Sequence, residues 1–207
     1  MTIHTNISGV HYIPHFIGKA DELLNHLLQE VVWDTRMRAR LTASFGKAYD
    51  YSQMNYPEQT MLAALAYLLP DIENAVGFLP NNCLINHYAN GQSRMGYHSD
   101  QTDVLCQDTG IAIVSLGSER NIIFRNINNP EQKITYSLAH GSLLYMNQTV
   151  QQLWQHAIPT SKTTDIRLSL TFRCLKWRPK HLQAAYLCDK RPVSVLLWCF
   201  TQNQNCL

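Results

Sequence analysis

The hydrophobic rhythm of the chain changes near residue 82. Before that point, Lys19 to Trp33 carries apolar side chains at Leu23, Leu24, Leu27, Leu28 and Val31, the spacing of one helical face. Asp21 and Glu22 sit where a helix N-terminus favours negative charge. A second helix is expected from Glu58 to Leu69, opened by Pro57 and closed before Pro70. After Asn82 the pattern becomes short apolar runs divided by turn residues. These predict strands at Cys83 to Tyr88, Ile111 to Leu116, Asn121 to Arg125, Lys133 to Ser137, Ser142 to Met146 and Arg167 to Phe172. Asn90-Gly91 and His140-Gly141 supply turn chemistry between them. Helices followed by an antiparallel run predict an α+β, mainly β fold: a double-stranded β-helix, or jelly roll, with the N-terminal helices flanking the sheet.

Composition narrows this picture only a little. The 207 residues, 45% of them hydrophobic, suffice for one sizeable core, so a single domain over 1–207 is expected. It is expected to divide into a helical flank (1–81), a jelly-roll core (82–175) and a C-terminal extension (176–207). A net charge of +2 is too small to imply a nucleic-acid partner by itself. Six cysteines without a C-x-x-C pair read as reduced thiols, which points to the cytoplasm, or the nucleus in a eukaryote. No signal-peptide pattern opens the chain, and the apolar run Val193 to Phe200 is too short to cross a bilayer, so no membrane partner is expected.

Chemistry concentrates at His98, Asp100 and His156. His98 and Asp100 stand two residues apart, so on an extended strand they project from one face, and His156 arrives from far along the chain. Two imidazoles and one carboxylate on one face of an octahedral ferrous iron leave three positions open for a chelating co-substrate and dioxygen. A surface turn plus an unrelated histidine is the plainer alternative. A zinc hydrolase built on the same three ligands is another, but it leaves the paired arginines below without a purpose.

Those arginines lie on Arg167-Leu168-Ser169-Leu170-Thr171-Phe172-Arg173, a strictly alternating strand with Leu168, Leu170 and Phe172 on one face and both guanidinium groups on the other. Arginine grips carboxylates in a partly dry site because its planar fork offers parallel hydrogen bonds and its charge persists under burial. A dicarboxylic keto acid such as 2-oxoglutarate would engage both, although six residues span roughly 20 Å of ideal strand, so the strand must curve. Otherwise this is an exposed amphipathic strand whose arginines meet solvent. His87 alternates away from Asn86 and Tyr88, and His140 precedes a turn glycine, so both are expected to be structural or exposed.

With these residues in order, the chain resembles the AlkB family of iron- and 2-oxoglutarate-dependent dioxygenases over about Arg40 to Leu175. The motifs are Asn82-Cys83-Leu84-Ile85-Asn86-His87-Tyr88-Ala89-Asn90-Gly91, His98-Ser99-Asp100, His156 and the Arg167 to Arg173 strand. The resemblance implies Fe(2+) on His98, Asp100 and His156, 2-oxoglutarate held by Arg167 at its distal carboxylate and by Arg173 near its keto-acid end, and O2 as oxidant. Asn86 and Tyr88 match positions that hydrogen-bond the co-substrate. It further implies that Arg36 to Ser52 forms a lid over the iron, with Arg36, Arg38 and Arg40 on phosphates and Phe45, Tyr49 and Tyr51 among the pocket aromatics. Single-stranded or locally unpaired nucleic acid carrying an N-alkylated base is then the expected substrate, since a base must leave its stack to reach the metal. Two departures keep a small metabolite or peptide open as substrate: Thr102 stands where repair members carry an acidic residue, and Phe45, not a tryptophan, is the only aromatic in the Leu41 to Ala48 stretch just before Tyr49-Asp50-Tyr51-Ser52. A non-catalytic metal-binding jelly roll is the remaining alternative.

Overall fold

The computed structural model describes residues 6–51 and 54–176. Strand β1 (Val10–Ile13) and helix α1 (Ala20–Glu30) precede β2 (Leu41–Gly46) and a hairpin of β3 (Tyr49–Tyr51) with β4 (Met54–Tyr56). Helices α2 (Ala63–Ala66) and α3 (Leu69–Val76) lead into β5 (Asn82–Tyr88) and β6 (Met95–His98). Then come β7 (Gly110–Gly117), β8 (Arg120–Asn126), β9 (Lys133–Leu138), β10 (Ser142–Asn147), helix α4 (Gln148–Leu153), β11 (Trp154–Ile158) and β12 (Arg167–Arg173).

The large sheet runs β1-β10-β7-β12-β5-β2 and the small one β6-β11-β8-β9, with antiparallel pairing throughout. Strand alternation divides the interior in two. Even positions of β12 (Leu168, Leu170, Phe172) join Cys83, Ile85, Ala112 and Val114 against Leu27, Leu65, Leu68 and Ile72 of the helical side. Each such fully buried leucine or phenylalanine contributes about 1.5–3 kcal/mol. On the other face Leu84, Tyr88, Ile111 and Ile113 meet Ile122, Phe124, Trp154 and Ile158 of the small sheet. The expected jelly roll with flanking helices is therefore the fold, and its inter-sheet layer is where the polar residues of β12 point. Among the described residues no helix is long and apolar enough to cross a membrane.

The N-terminal region is less helical than its sequence pattern suggests. Between residues 1 and 81 the chain supplies both outer strands of the large sheet, β1 and β2, as well as the β3–β4 hairpin. The helix expected over Glu58 to Leu69 is displaced: α2 covers only four residues, and Pro70 opens α3 instead of closing its predecessor. Proline is tolerated in a first helical turn, where its missing N–H has no acceptor to lose. Gly77, at φ 81°, ends α3 in the left-handed conformation and donates to Glu73 O.

The lid assignment for Arg36 to Ser52 changes for the same reason. Leu41–Gly46 is an integral strand paired with β5, so Thr42 and Ser44 face the inter-sheet layer while Ala43 and Phe45 turn to the helices. Phe45 is thus a core residue on the wrong face to be a pocket wall.

Candidate active site

The site grows from two facing strands of the small sheet. β11 and β6 pair with His156 directly opposite His98, and their rings lie 4.4 Å apart. β6 ends at His98, so Asp100 sits in the following loop, not on the same strand face; its backbone N–H donates to Gln151 Oε1 at 2.9 Å. Gln151 is brought there by α4, whose first turn is capped by Asn147 accepting from Val150 N. The ligand atoms of His98, Asp100 and His156 all fall within 4.8 Å of one another, so these three side chains could hold a metal ion.

Surroundings tune each group for that task. His98 Nδ1 lies 2.9 Å from Gly96 O, which fixes the ring and leaves Nε2, 3.8 Å from Asp100 Oδ1, as the atom available to a metal. Burial pushes the His156 pKa down to about 4, so that imidazole is neutral and has its lone pair available. For Asp100 burial acts upward, but the positive charge of Arg173, helped by His156 and His98, outweighs it and holds the carboxyl below its usual range. Arg173 Nη2 stands 3.3 Å from Asp100 Oδ2, and the ring of Tyr49 covers the guanidinium at 4.8 Å.

Beyond the metal cluster the strands of the large sheet build a polar floor. Strand register aligns Ser115, Ser169, Asn86 and Thr42 in one row across β7, β12, β5 and β2. Asn86 Oδ1 accepts from Arg40 Nε at 2.7 Å, and Thr42 Oγ1 lies 2.7 Å from Tyr56 OH. Arg167 stands at the far end of this floor, 1% exposed, its guanidinium 5.2 Å from the Tyr88 ring centre. Its Nη2 donates to Ser115 and Ser169 hydroxyls, while Nε and Nη1 are buried with no hydrogen-bond acceptor among the described residues. Burial pulls its pKa down to about 10. One cavity is lined by His98, Asp100 and His156 at one end and by Tyr88, Asn86 and Arg167 at the other. A buried cation with spare donors in the same cavity as a metal cluster fits a dicarboxylate that chelates the metal through its opposite end.

The remaining expected contacts divide. Arg40 is buried against Asn86 and lies beneath the pocket instead of on a phosphate-facing surface. Tyr49 is buried with its ring over the Arg173 guanidinium. Arg36 is exposed and ion-paired with Asp34. The Tyr51 side chain lies outside the described residues. Arg38 is exposed and lines an open cleft of about 370 Å³ together with Asn90, Gln92, Ser93 and Arg94. As expected, His140 is structural: its Nδ1 accepts from Gly117 N at 2.8 Å. His87 packs on Trp33 on the helical side, 4.9 Å between rings.

Sequence reasoning missed Arg120. It is 2% exposed and its guanidinium donates to the carbonyls of Asn90, Gly91, Ser93 and Pro159, latching the loop that floors the Arg38 cleft. Nothing in the residue types marks this, because all four acceptors are backbone. Gly91 is tied in further by Gly91 N to Thr163 O and Ser161 N to Gly91 O, and a Cβ there would collide with Ser161 O. Replacing Arg120 by methionine is expected to lower stability by about 2–4 kcal/mol by stranding these carbonyls. Denaturant melts check the size, and limited proteolysis should show new cutting between residues 90 and 94; an unaltered melt and digest would remove the latch.

With this geometry in place, the comparisons define the class. The chain belongs to the 2OG-Fe(II) oxygenase superfamily, whose family model matches residues 9–173. Its relatives are AlkB-like. It is 32% identical over 198 residues to the alpha-ketoglutarate-dependent dioxygenase alkB homolog 3 of Rattus norvegicus, covering 85% of this chain and 67% of that one. It is 30% identical over 179 residues to the DNA oxidative demethylase ALKBH2 of Homo sapiens, covering 75% and 69% respectively. The solved structure of OsALKBH1 shares the fold, with a TM-score of 0.61 at 15% identity over 80% of this chain and 97% of that one. The cofactors of such an oxygenase are Fe(2+) and 2-oxoglutarate, with O2 as co-substrate.

Proposed function

We propose that this AlkB-like oxygenase removes alkyl groups oxidatively from nucleobases in single-stranded or locally unpaired nucleic acid. The observation that carries the proposal is the shared cavity: a His98/Asp100/His156 cluster at one end and the buried, donor-rich Arg167 at the other, with the open Arg38/Arg94 cleft on adjoining loops. Iron bound at the cluster would supply oxygen activation coupled to decarboxylation of 2-oxoglutarate. The chain's own residues orient and desolvate. Arg167, with Tyr88 beside it, holds the distal carboxylate. Arg40 occupies the Asn86 acceptor, which leaves the Asn86 amide hydrogens for the co-substrate. Arg173, held under the Tyr49 ring, neutralises Asp100. No general base among these residues would be needed, because the bound iron and co-substrate would supply the C–H oxidation and a hydroxylated N-alkyl carbon would leave as an aldehyde.

The polynucleotide part of this proposal draws on the name of the DNA oxidative demethylase relative and on the basic cleft. Backbone phosphates of a strand whose base enters the cavity would meet Arg38 and Arg94, which are both exposed. Succinate release should therefore be stimulated by methylated oligonucleotides more than by methylated nucleosides or a panel of small metabolites. Turnover confined to a metabolite would overturn the assignment. In the double variant Arg38→Ala/Arg94→Ala, oligonucleotide binding should weaken while its logarithmic salt slope becomes shallower by about 1.4, since each single-strand phosphate contact contributes roughly 0.7. A slope equal to that of the parent protein would take both arginines off the phosphates.

A further inference from the structure

Cys106 and Cys174 meet at a place the oxygenase chemistry does not use. The segment after Asp100 and the end of β12 come together as an isolated antiparallel bridge, Leu105 opposite Leu175, which sets Cys106 directly across from Cys174. Cys106 N donates to Cys174 O at 2.8 Å, and the two sulfurs lie 2.7 Å apart as free, half-buried thiols. The backbone on both sides is anchored independently of the sulfurs. Thr109 Oγ1 and Gln148 Nε2 donate to Cys106 O, while Asn81 bonds both the N–H and the carbonyl of Leu175. The frame therefore holds the thiols in place. A covalent S–S bond at about 2.05 Å requires the sulfurs to approach by well under 1 Å. Cys83, in contrast, is fully buried with no sulfur partner among the described residues.

We propose that Cys106 and Cys174 are a reversible disulfide site that closes when the protein meets a peroxide, clasping the Asp100-bearing loop to the Arg173 end of β12. The Cys174 thiol donates toward the Cys106 sulfur, and burial together with that contact pushes the Cys174 thiol up, so Cys106 is the attacking sulfur of the proposal. Cys106 thiolate attacks one peroxide oxygen, the O–O bond breaks, hydroxide leaves as water after taking up a proton, and Cys106 becomes a sulfenic acid. Cys174 sulfur then bonds to Cys106 sulfur, the S–O bond breaks, and the Cys174 proton leaves with the hydroxyl as a second water. Two thiols and one hydrogen peroxide give one disulfide and two waters, so the pair supplies the two electrons. Because the thiols already face each other, oxidation leaves the metal cluster in place and acts as a clasp, not as an off switch.

The test uses the full chain, purified reduced and treated with stoichiometric hydrogen peroxide. Peptide mapping without reductant should show the Cys106 and Cys174 peptides linked, with two hydrogens lost, and dithiothreitol should restore both thiols. The melting temperature should rise by roughly 5–10 °C, as expected for a cross-link closing a long loop. The rise should vanish in Cys106→Ser and in Cys174→Ser, and 2-oxoglutarate binding should be the same in both redox states. Both thiols still open to alkylation after peroxide, oxidation of either to sulfinic acid, or linkage of either one to Cys188, Cys199 or Cys206 in place of the other would each overturn the proposal. The map is read on the unmodified chain, so a serine variant that folds poorly leaves it intact.

Discussion

Substituting alanine for Asp100 is expected to remove iron-dependent turnover and to lower the melting temperature of the metal-free protein as well. The two effects have one origin. Asp100 is the carboxylate of the metal cluster and also the counter-charge of Arg173, and its side chain is only 5% exposed. Without it, two neutral imidazoles face the metal and the incomplete facial set no longer holds iron. The rate loss should exceed the ~10–100-fold typical of losing a group that only orients a ligand. Arg173, buried under Tyr49, meanwhile loses the Asp100 carboxylate, and breaking such a buried pair costs up to about 3–5 kcal/mol. Asp100→Asn separates the contributions: it keeps the shape and one acceptor but not the charge, so it should recover part of the stability and little of the turnover. Iron titration, succinate release and thermal melting on the three proteins provide the measurements. Iron-stimulated succinate release at the parental rate by Asp100→Ala would take the carboxylate out of the metal centre.

Why the sequence exposed some of this site and hid the rest follows from what each residue touches. His98, Asp100, His156, Arg167 and Arg173 are visible because titratable side chains occupy strand or loop positions that alternation turns inward. On β12 the apolar positions 168, 170 and 172 fix which face is buried, and the polar set is then forced toward the second sheet. β11 is harder to read: Trp154-Gln155-His156-Ala157-Ile158 has no clean alternation, because the inward position that would be apolar in an ordinary strand is His156 of the candidate metal cluster. β1 is a four-residue edge strand and leaves little pattern. β2 did alternate, with Leu41, Ala43 and Phe45 against Thr42 and Ser44, but the flanking arginines and tyrosines drew attention to a lid and so put Phe45 on the wrong side. Arg120 and Gln151 act on backbone groups, which carry no residue code, and only coordinates reveal them.

Exchanging Arg167 for methionine should produce a pairing of effects that an ordinary structural arginine would not: a ligand-free protein at least as stable as the parent, and a large loss of 2-oxoglutarate affinity. Arg167 is completely buried, no carboxylate among the described residues pairs with it, and two of its three nitrogens lack an acceptor. With its pKa pulled down to about 10 by burial, the unfolded chain holds this proton more tightly than the folded one. Stability contributed by the group therefore rises only as pH climbs above about 10, and at neutral pH the full cost of the desolvated charge is present. Methionine fills similar space without that charge, and such replacements are commonly neutral or stabilising by up to about 4 kcal/mol. The freed Ser115 and Ser169 hydroxyls lose one donor each and can turn toward other acceptors. In the complex the balance reverses, because the distal carboxylate of 2-oxoglutarate would be buried without its cation. Removing one partner of a buried charge pair costs about 2–5 kcal/mol, so the dissociation constant should rise at least ~30-fold. Calorimetry gives that constant directly, and the thermal shift on adding 2-oxoglutarate should shrink with it, since stabilisation by a ligand follows the ratio of its concentration to its dissociation constant. Unchanged co-substrate affinity in Arg167→Met would place the distal carboxylate elsewhere in the cavity, and a marked loss of ligand-free stability would make Arg167 a structural pillar of the sheet instead of a charge held in reserve for its ligand.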